Sequence, residues 1–258
     1  MKVAILQYPV VWAEVQENLR RTGLRLQAIA GEADVAVLPE MFTTGFCPNI
    51  PHIADSMDGV TLRTVRRWAR EYNIAVVGSF MCQDEGRLYN RGFFVKPDGK
   101  AVFVDKRHLY PSRGEADLFT AGTERKVVEY KDVKFCLQIC YDLRFPVWSR
   151  NASGFDYDIL VYCAAWPDVK IKAWDVMLAS RCLENQCYLV AVNYVGDDGL
   201  GLHYKGHSVA YDTRLEPLVW FADDEEGTKI ADFDMKRLEH YREVLPLWKS
   251  CDRFEVEK

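Results

Sequence analysis

A layered α/β architecture is the expectation for this chain, on three grounds. Short β-type runs alternate with stretches of helical periodicity. Several strand-like runs, 74–80 (IAVVGSF) and 159–163 (ILVYC) among them, are apolar on both faces and need cover on both. The 258 residues suffice for one large core, and no linker, internal repeat or low-complexity tract divides them. The reading is one domain over 1–258, with 235–258 as an exposed C-terminal tail in which Leu245, Leu247 and Trp248 are available for packing.

The elements follow from residue pattern. Residues 2–8 read as a first strand. Val15, Leu19, Thr22, Leu26 and Ile29 recur at helical spacing and predict a helix over about 14–30. A short buried strand at 33–38 follows. Leu62, Val65, Ala69 and Tyr72 mark a second helix, and 74–80 a further strand. The turn signal Pro97-Asp98-Gly99 joins 88–96 to 100–105 as a hairpin. Lys131-Asp132 joins 126–130 to 133–139 as another. Ile171, Trp174, Leu178 and Cys182 share one face of a helix over about 169–185, with Asp168 as its expected cap. Strands at 189–194, 208–211, 218–221 and 228–233 complete the pattern.

Composition excludes several classes. Lys and Arg number 33 against 38 Asp and Glu, a net charge of −5, which argues against a nucleic-acid binder. No run of 18 apolar residues exists, so no membrane span is expected. Gln7 and Pro9 interrupt the opening apolar run before it could serve as a secretion signal. Eight cysteines without framework spacing fit reduced thiols in the cytoplasm.

Three segments carry candidate chemistry. In AVLPEMFTTGF, Glu40 follows a buried strand, where α/β proteins open their binding crevices. A solvated loop glutamate would look the same. In VFVDKRHLYPSRG, Lys106 ends an apolar strand, suited to holding developing negative charge or simply to keeping the strand end soluble. His108 beside it reads better as a structural residue than as a base. In VKFCLQICYDLRFPVWSR, alternation puts Cys136, Gln138 and Cys140 on one strand face. Cys140 ends that strand, and Pro146 suits the first position of a new helix. The result is a strand–turn–helix elbow with a thiol at its tip, which leaves the next backbone N–H free for an oxyanion. An inert buried thiol is the ordinary alternative.

Taken together, LPEMFTTGF, DKRHLY and ICYDLRFP resemble the nitrilase superfamily of carbon–nitrogen hydrolases, whose signature is Glu, Lys and Cys in that order: here Glu40, Lys106 and Cys140. The stretches MFTTGF, KRHLYPSRGEADLFTAG and CYDLRFPVWSRN look closest to the omega-amidase branch. The resemblance implies a four-layer α-β-β-α sandwich, subunits paired as a homodimer, and Glu115 in GEADLF as a second glutamate lining the pocket. It implies a small-molecule amide substrate, 2-oxoglutaramate or 2-oxosuccinamate, and no cofactor or metal.

Chemistry then distributes roles as expectations. Cys140 attacks the amide carbon, because a thioester splits one hard displacement into two easier ones. Glu40 is the base. Lys106, with the Tyr141 backbone N–H, stabilises the oxyanion. Glu115 positions Lys106 or the substrate, or forms a surface ion pair. Asp142 and Arg144 pair to stiffen the elbow. Trp166 forms pocket wall, and Arg113, Arg144 and Lys106 are candidates to receive a substrate carboxylate. A nitrilase, an N-carbamoyl-amide hydrolase or an aliphatic amidase would share the same three residues, and a cysteine-rich metal-binding module or a catalytically inactive interaction protein is the contrasting class. The spacing Cys136-x-x-x-Cys140 is loose for zinc, and His203 and His207 sit in a loop-like context.

Overall fold

The computed structural model describes residues 1–152, 154–252 and 254–256. In chain order the elements are β1 (Lys2–Gln7), α1 (Val15–Ala28), β2 (Val35–Val37), β3 (Asp55–Ser56), α2 (Val60–Glu71), β4 (Ala75–Asp84), β5 (Arg87–Val95) and β6 (Ala101–Asp105). Then come α3 (Glu115–Leu118), β7 (Val127–Tyr130), β8 (Val133–Ile139), α4 (Pro146–Ser149), β9 (Ile159–Ala164), α5 (Ile171–Asn185) and β10 (Tyr188–Asn193). The chain finishes with β11 (Val195–Asp197), β12 (His203–Lys205), β13 (Val209–Tyr211), β14 (Pro217–Trp220), β15 (Gly227–Asp232) and α6 (Met235–Val244).

Among the described residues, two large sheets carry the architecture. One runs β15-β1-β2-β4-β5-β6, with β3 beside β4, and the other β14-β13-β10-β9-β8-β7. Each has a parallel heart, β1-β2-β4 in the first and β8-β9-β10 in the second, flanked by antiparallel strands. The parallel strands are mostly apolar and buried, as strands covered on both faces must be.

The two sheets pack face to face. Val3, Ile5, Val35, Val37 and Phe94 of the first share a core with Phe135, Leu137 and Ile139 of the second. Gly92 of β5 lies so close to the opposite sheet that a Cβ there would stand 2.9 Å from Leu137 and 3.2 Å from Ile139. The outer face of the first sheet (Ala4, Leu6, Ala36, Val76) packs on Leu19 and Leu26 of α1 and Leu62 and Val65 of α2. Trp174, Leu178 and Cys182 of α5 cover the second. The result is the four-layer α-β-β-α sandwich. Helices α1 and α2 approach where Gly23 leaves room for Trp68, whose ring would meet a Cβ at 3.1 Å.

Several sequence expectations change. The stretch expected to be a tail begins with α6, whose Asp234 cap accepts from the backbone N–H groups of Lys236 and Arg237 at 3.0 and 3.4 Å. Its single buried residue, Leu238, leaves little apolar periodicity to read. Asp168 does not cap α5 with its side chain; it opens a short 3-10 turn, Asp168–Lys170, leading into the helix. Strand β4 runs on past Phe80 to Asp84 and turns through Glu85-Gly86 into β5, a hairpin the apolar run alone did not mark.

Phe135 is fully buried between the sheets, its ring 5.2 Å from that of Phe94. Phe135→Ala removes that contact where neighbouring strands cannot collapse, and a loss of about 3–5 kcal/mol is expected. Urea unfolding tests this: the midpoint should fall with an unchanged slope.

Candidate active site

The candidate residues meet where strands of both sheets end. Glu40 follows β2 and Lys106 follows β6 in one sheet; Cys140 follows β8 and Ala165 follows β9 in the other. Parallel strands end on the same side, so loops from both sheets converge there. The backbone of Glu40 is fixed by its N–H donating to Ala164 O at 3.4 Å. The next N–H, of Met41, donates to Ser79 Oγ at 2.9 Å. Lys106 is pinned by its N–H on Asn90 O (3.0 Å) and its carbonyl under Gly122 N–H (2.9 Å). A side chain at Gly122 would strike the Asp105 carbonyl, 2.1 Å from a Cβ.

Glu40, Lys106 and Glu115 are wholly buried and form one charge cluster. Lys106 Nζ lies 2.8 Å from Glu40 Oε1 and 3.0 and 2.9 Å from the two oxygens of Glu115. Glu115 therefore does not make a surface ion pair. Tyr110 N–H donates to Glu115 Oε2 at 2.6 Å, and Ala165 N–H to Glu40 Oε2 at 2.8 Å. Asn90, in mid-strand on β5, completes the cluster. Its Nδ2 donates to Glu40 Oε1 at 2.7 Å and to Glu115 Oε1 at 2.9 Å. Nothing in the sequence marked Asn90, because a buried strand asparagine shows its importance only through its partners.

Electrostatics follow from burial. Desolvation alone would pull Lys106 down, but Glu115 and Glu40 outweigh it and hold the ammonium well above its ordinary value. Burial raises Glu115 above its ordinary value; Lys106 pulls it partly back and Glu40 pushes it up again. The Cys140 thiol is pushed well above its usual value by burial and then by the Glu40 charge, only partly countered by Lys106. The resting thiol keeps its proton. Its Sγ stands 3.8 Å from Ala165 O.

The elbow is real and strained. Cys140 takes φ 44°, left-handed backbone that costs a non-glycine residue about 1 kcal/mol or more. A 3-10 turn, Cys140–Arg144, follows, then α4 with Pro146 at its start. Cys140 thus leaves the alternation of β8, while Cys136 and Gln138 remain together, Gln138 Nε2 lying 3.4 Å from Cys136 Sγ. Asp142 holds the turn, but not through Arg144. It accepts from Ile139 N–H at 3.2 Å and His108 N–H at 2.9 Å, with His108 Nδ1 at 2.8 Å. His108 stacks on Phe145 at 3.6 Å and is a structural clamp.

A cavity of about 320 Å³ opens over Cys140 and Lys106. That is the small end of the range for ligand pockets. Trp166, Arg113, Arg144, Tyr141 and Tyr204 line it. Arg113 is tied to Asp198 at 2.6 Å. Arg144 lies over Trp166, 4.8 Å from the ring centre, and 5.9 Å from that of Tyr141. Lys170, which the sequence analysis did not single out, lines the same cavity. His203 and His207 each sit between carboxylates, at 2.7–2.8 Å for Asp197 and Asp224 and 2.7–3.0 Å for Asp223 and Asp175.

Known proteins share this architecture and define its class. The family model described as carbon-nitrogen hydrolase matches residues 2–243, and the chain belongs to that family. It is an amidohydrolase of the nitrilase superfamily, acting on carbon–nitrogen bonds other than peptide bonds. Among its relatives, the omega-amidase YafV of Yersinia enterocolitica is 40% identical over 254 residues, 98% of each chain. The 2-oxoglutaramate amidase of Bacillus subtilis is 29% identical over 95% of each. Among solved structures, XC1258 from Xanthomonas campestris, which carries an arsenic adduct in its active site, superposes with a TM-score of 0.96 at 33% identity, covering 99% of this chain and 98% of its own.

The charge cluster has a pH signature. Above the ordinary carboxylate value of 4.5, an unfolded chain loses the Glu115 proton, whereas the folded chain keeps it until the raised value is reached. The folded state binds more protons in that window, so this group's contribution to stability falls as pH rises. Urea unfolding of Glu115→Gln from about pH 5 to 7 should show that part of the slope removed; a slope equal to the parent's would contradict the raised value.

Proposed function

We propose that the chain hydrolyses the terminal amide of 2-oxoglutaramate or 2-oxosuccinamate, giving the dicarboxylate and ammonia, with Cys140, Glu40 and Lys106 as catalytic residues. The observation that carries the reading is a small cavity in which a thiol beside a buried Glu–Lys–Glu cluster shares the space with Arg144, which has no carboxylate partner among the described residues. The names of the relatives, omega-amidase and 2-oxoglutaramate amidase, agree with it.

Cys140 Sγ attacks the amide carbon while its proton passes to Glu40. Because the thiol is held protonated at rest, transfer and attack are coupled. The carbonyl oxygen becomes an oxyanion beside the Lys106 ammonium. Tyr141 N–H is the second donor: it lies at the start of the 3-10 turn, where leading N–H groups lack partners within the helix. Lys106 stays charged between two carboxylates, so it supplies field and not a base. The C–N bond breaks as Glu40 returns the proton to nitrogen, and ammonia leaves a thioester on Cys140. Glu40 then takes a proton from water, the hydroxide attacks, the C–S bond breaks and the thiol recovers that proton. Glu115 and Asn90 position Lys106 and Glu40. Arg144 receives the distal carboxylate; Arg113 is already neutralised by Asp198.

The same reading places the protein in the cytoplasm as a homodimer of one domain. Light scattering that returned the mass of a single chain, 29.8 kDa, would count against the dimer.

Cys140→Ala should abolish turnover with the fold intact. Glu40→Gln and Lys106→Ala should each lose about a thousandfold or more in kcat, since members of a catalytic unit fail together. Peptide-level mass mapping of the parent enzyme quenched during turnover of 2-oxoglutaramate should show an acyl adduct on Cys140; an adduct on Cys136 would refute the assignment.

A further inference from the structure

We infer that Lys170, with Tyr110, reads the 2-position of the substrate, accepting a keto oxygen and rejecting an ammonium group. This rests on the reading that the substrate is an ω-amide of a 2-oxo acid. The cations lining the cavity are not equivalent. Lys106 is saturated by Glu40 and Glu115, and Arg113 is neutralised by Asp198. Arg144 and Lys170 alone have no carboxylate partner among the described residues lining the cavity. A 2-oxo acid carries two neighbouring acceptor groups, a carboxylate and a keto oxygen. Arg144, with its planar fork, suits the carboxylate. Lys170 is left for the keto oxygen.

The local geometry supports that division. Lys170 Nζ donates to the Tyr110 hydroxyl, and its charge stands 4.7 Å from the Tyr110 ring centre. Having accepted from lysine, the hydroxyl still has its own proton to give. The ammonium has further N–H groups as well. The pair therefore presents the remaining ammonium N–H groups and the hydroxyl proton, which a keto oxygen with two lone pairs can accept. A 2-ammonium group has no lone pair and would meet a like charge, so a free amino-acid amide is refused.

Both residues are tied to the reacting atoms. The Lys170 carbonyl accepts from Trp166 Nε1 at 2.8 Å, within the short turn whose Ala165 N–H holds Glu40. The Tyr110 N–H holds Glu115. The Tyr110 ring packs edge-to-face with that of Tyr141, the residue after the thiol, at 5.4 Å.

The experiment compares kcat/KM for 2-oxoglutaramate, glutaramate, which lacks the 2-oxo group, and glutamine in the parent enzyme, Lys170→Met and Lys170→Arg. In Lys170→Met the ratio of 2-oxoglutaramate to glutaramate should fall about tenfold or more, as expected for losing a charged hydrogen bond. Glutamine should gain relative to glutaramate, and Lys170→Arg should keep the parent's ranking against glutamine. Because each result is a ratio within one variant, partial loss of folded enzyme does not mimic it. A ratio unchanged in Lys170→Met overturns the role of Lys170 and leaves the function standing. A parent enzyme that hydrolyses neither 2-oxoglutaramate nor glutaramate overturns the function itself, and this inference with it.

Discussion

The Lys106 ammonium, enclosed by Glu40 and Glu115 with no access to water, is the interaction on which the site depends. Each of these ions pays several kcal/mol to leave water. Their attraction offsets that cost only if the geometry is held by other donors. The structure supplies them: Asn90 to both carboxylates, Ala165 N–H to Glu40 and Tyr110 N–H to Glu115. Burial first, and then the Glu40 charge, push the neighbouring thiol well above its usual value, and Lys106 counters them only in part. In the proposed mechanism that thiol becomes a nucleophile only as its proton passes to Glu40.

The thiol is held by a different set of forces. Left-handed backbone at Cys140 persists because Asp142 gathers Ile139 N–H, His108 N–H and the His108 ring around the turn. His108 belongs to the loop that follows Lys106. The segment that places the lysine thus also braces the elbow that places the thiol, and the two halves of the site are coupled through Asp142.

What could be read in the sequence follows from where information is local. Glu40, Lys106 and Cys140 each end a strand, and strand ends are visible as the close of an apolar run. Their order and flanking residues then carried the family resemblance and, with it, the four-layer fold. Asn90 stayed hidden because it lies within LYNRG, a strand whose neighbours give no sign that two carboxylates face it. Lys170 stayed hidden because a lysine near a helix start normally faces solvent. The pairing of Asp142 with His108 crosses 34 residues, whereas the expected Arg144 is only two away. Helix α6 was missed because MKRLEHYREV is mostly charged, and the polar hairpin β11–β12 because it lacks an apolar run.

The pairing of β1 with β15 has a bearing on how the chain is made. From Lys2 opposite Asp232 to Gln7 opposite Gly227, the first strand lies antiparallel to the last. Gln7 also bonds Ser208 N–H and the Glu225 carbonyl. During synthesis, at about 5–20 residues per second, β1 waits on the order of ten seconds or more with one edge unpaired. The ribosome has by then delivered Glu40, Lys106 and Cys140, but the sheet that orders them is still open. That apolar edge is a template for other nascent chains, so the interval before β15 emerges is when this protein would most benefit from a chaperone.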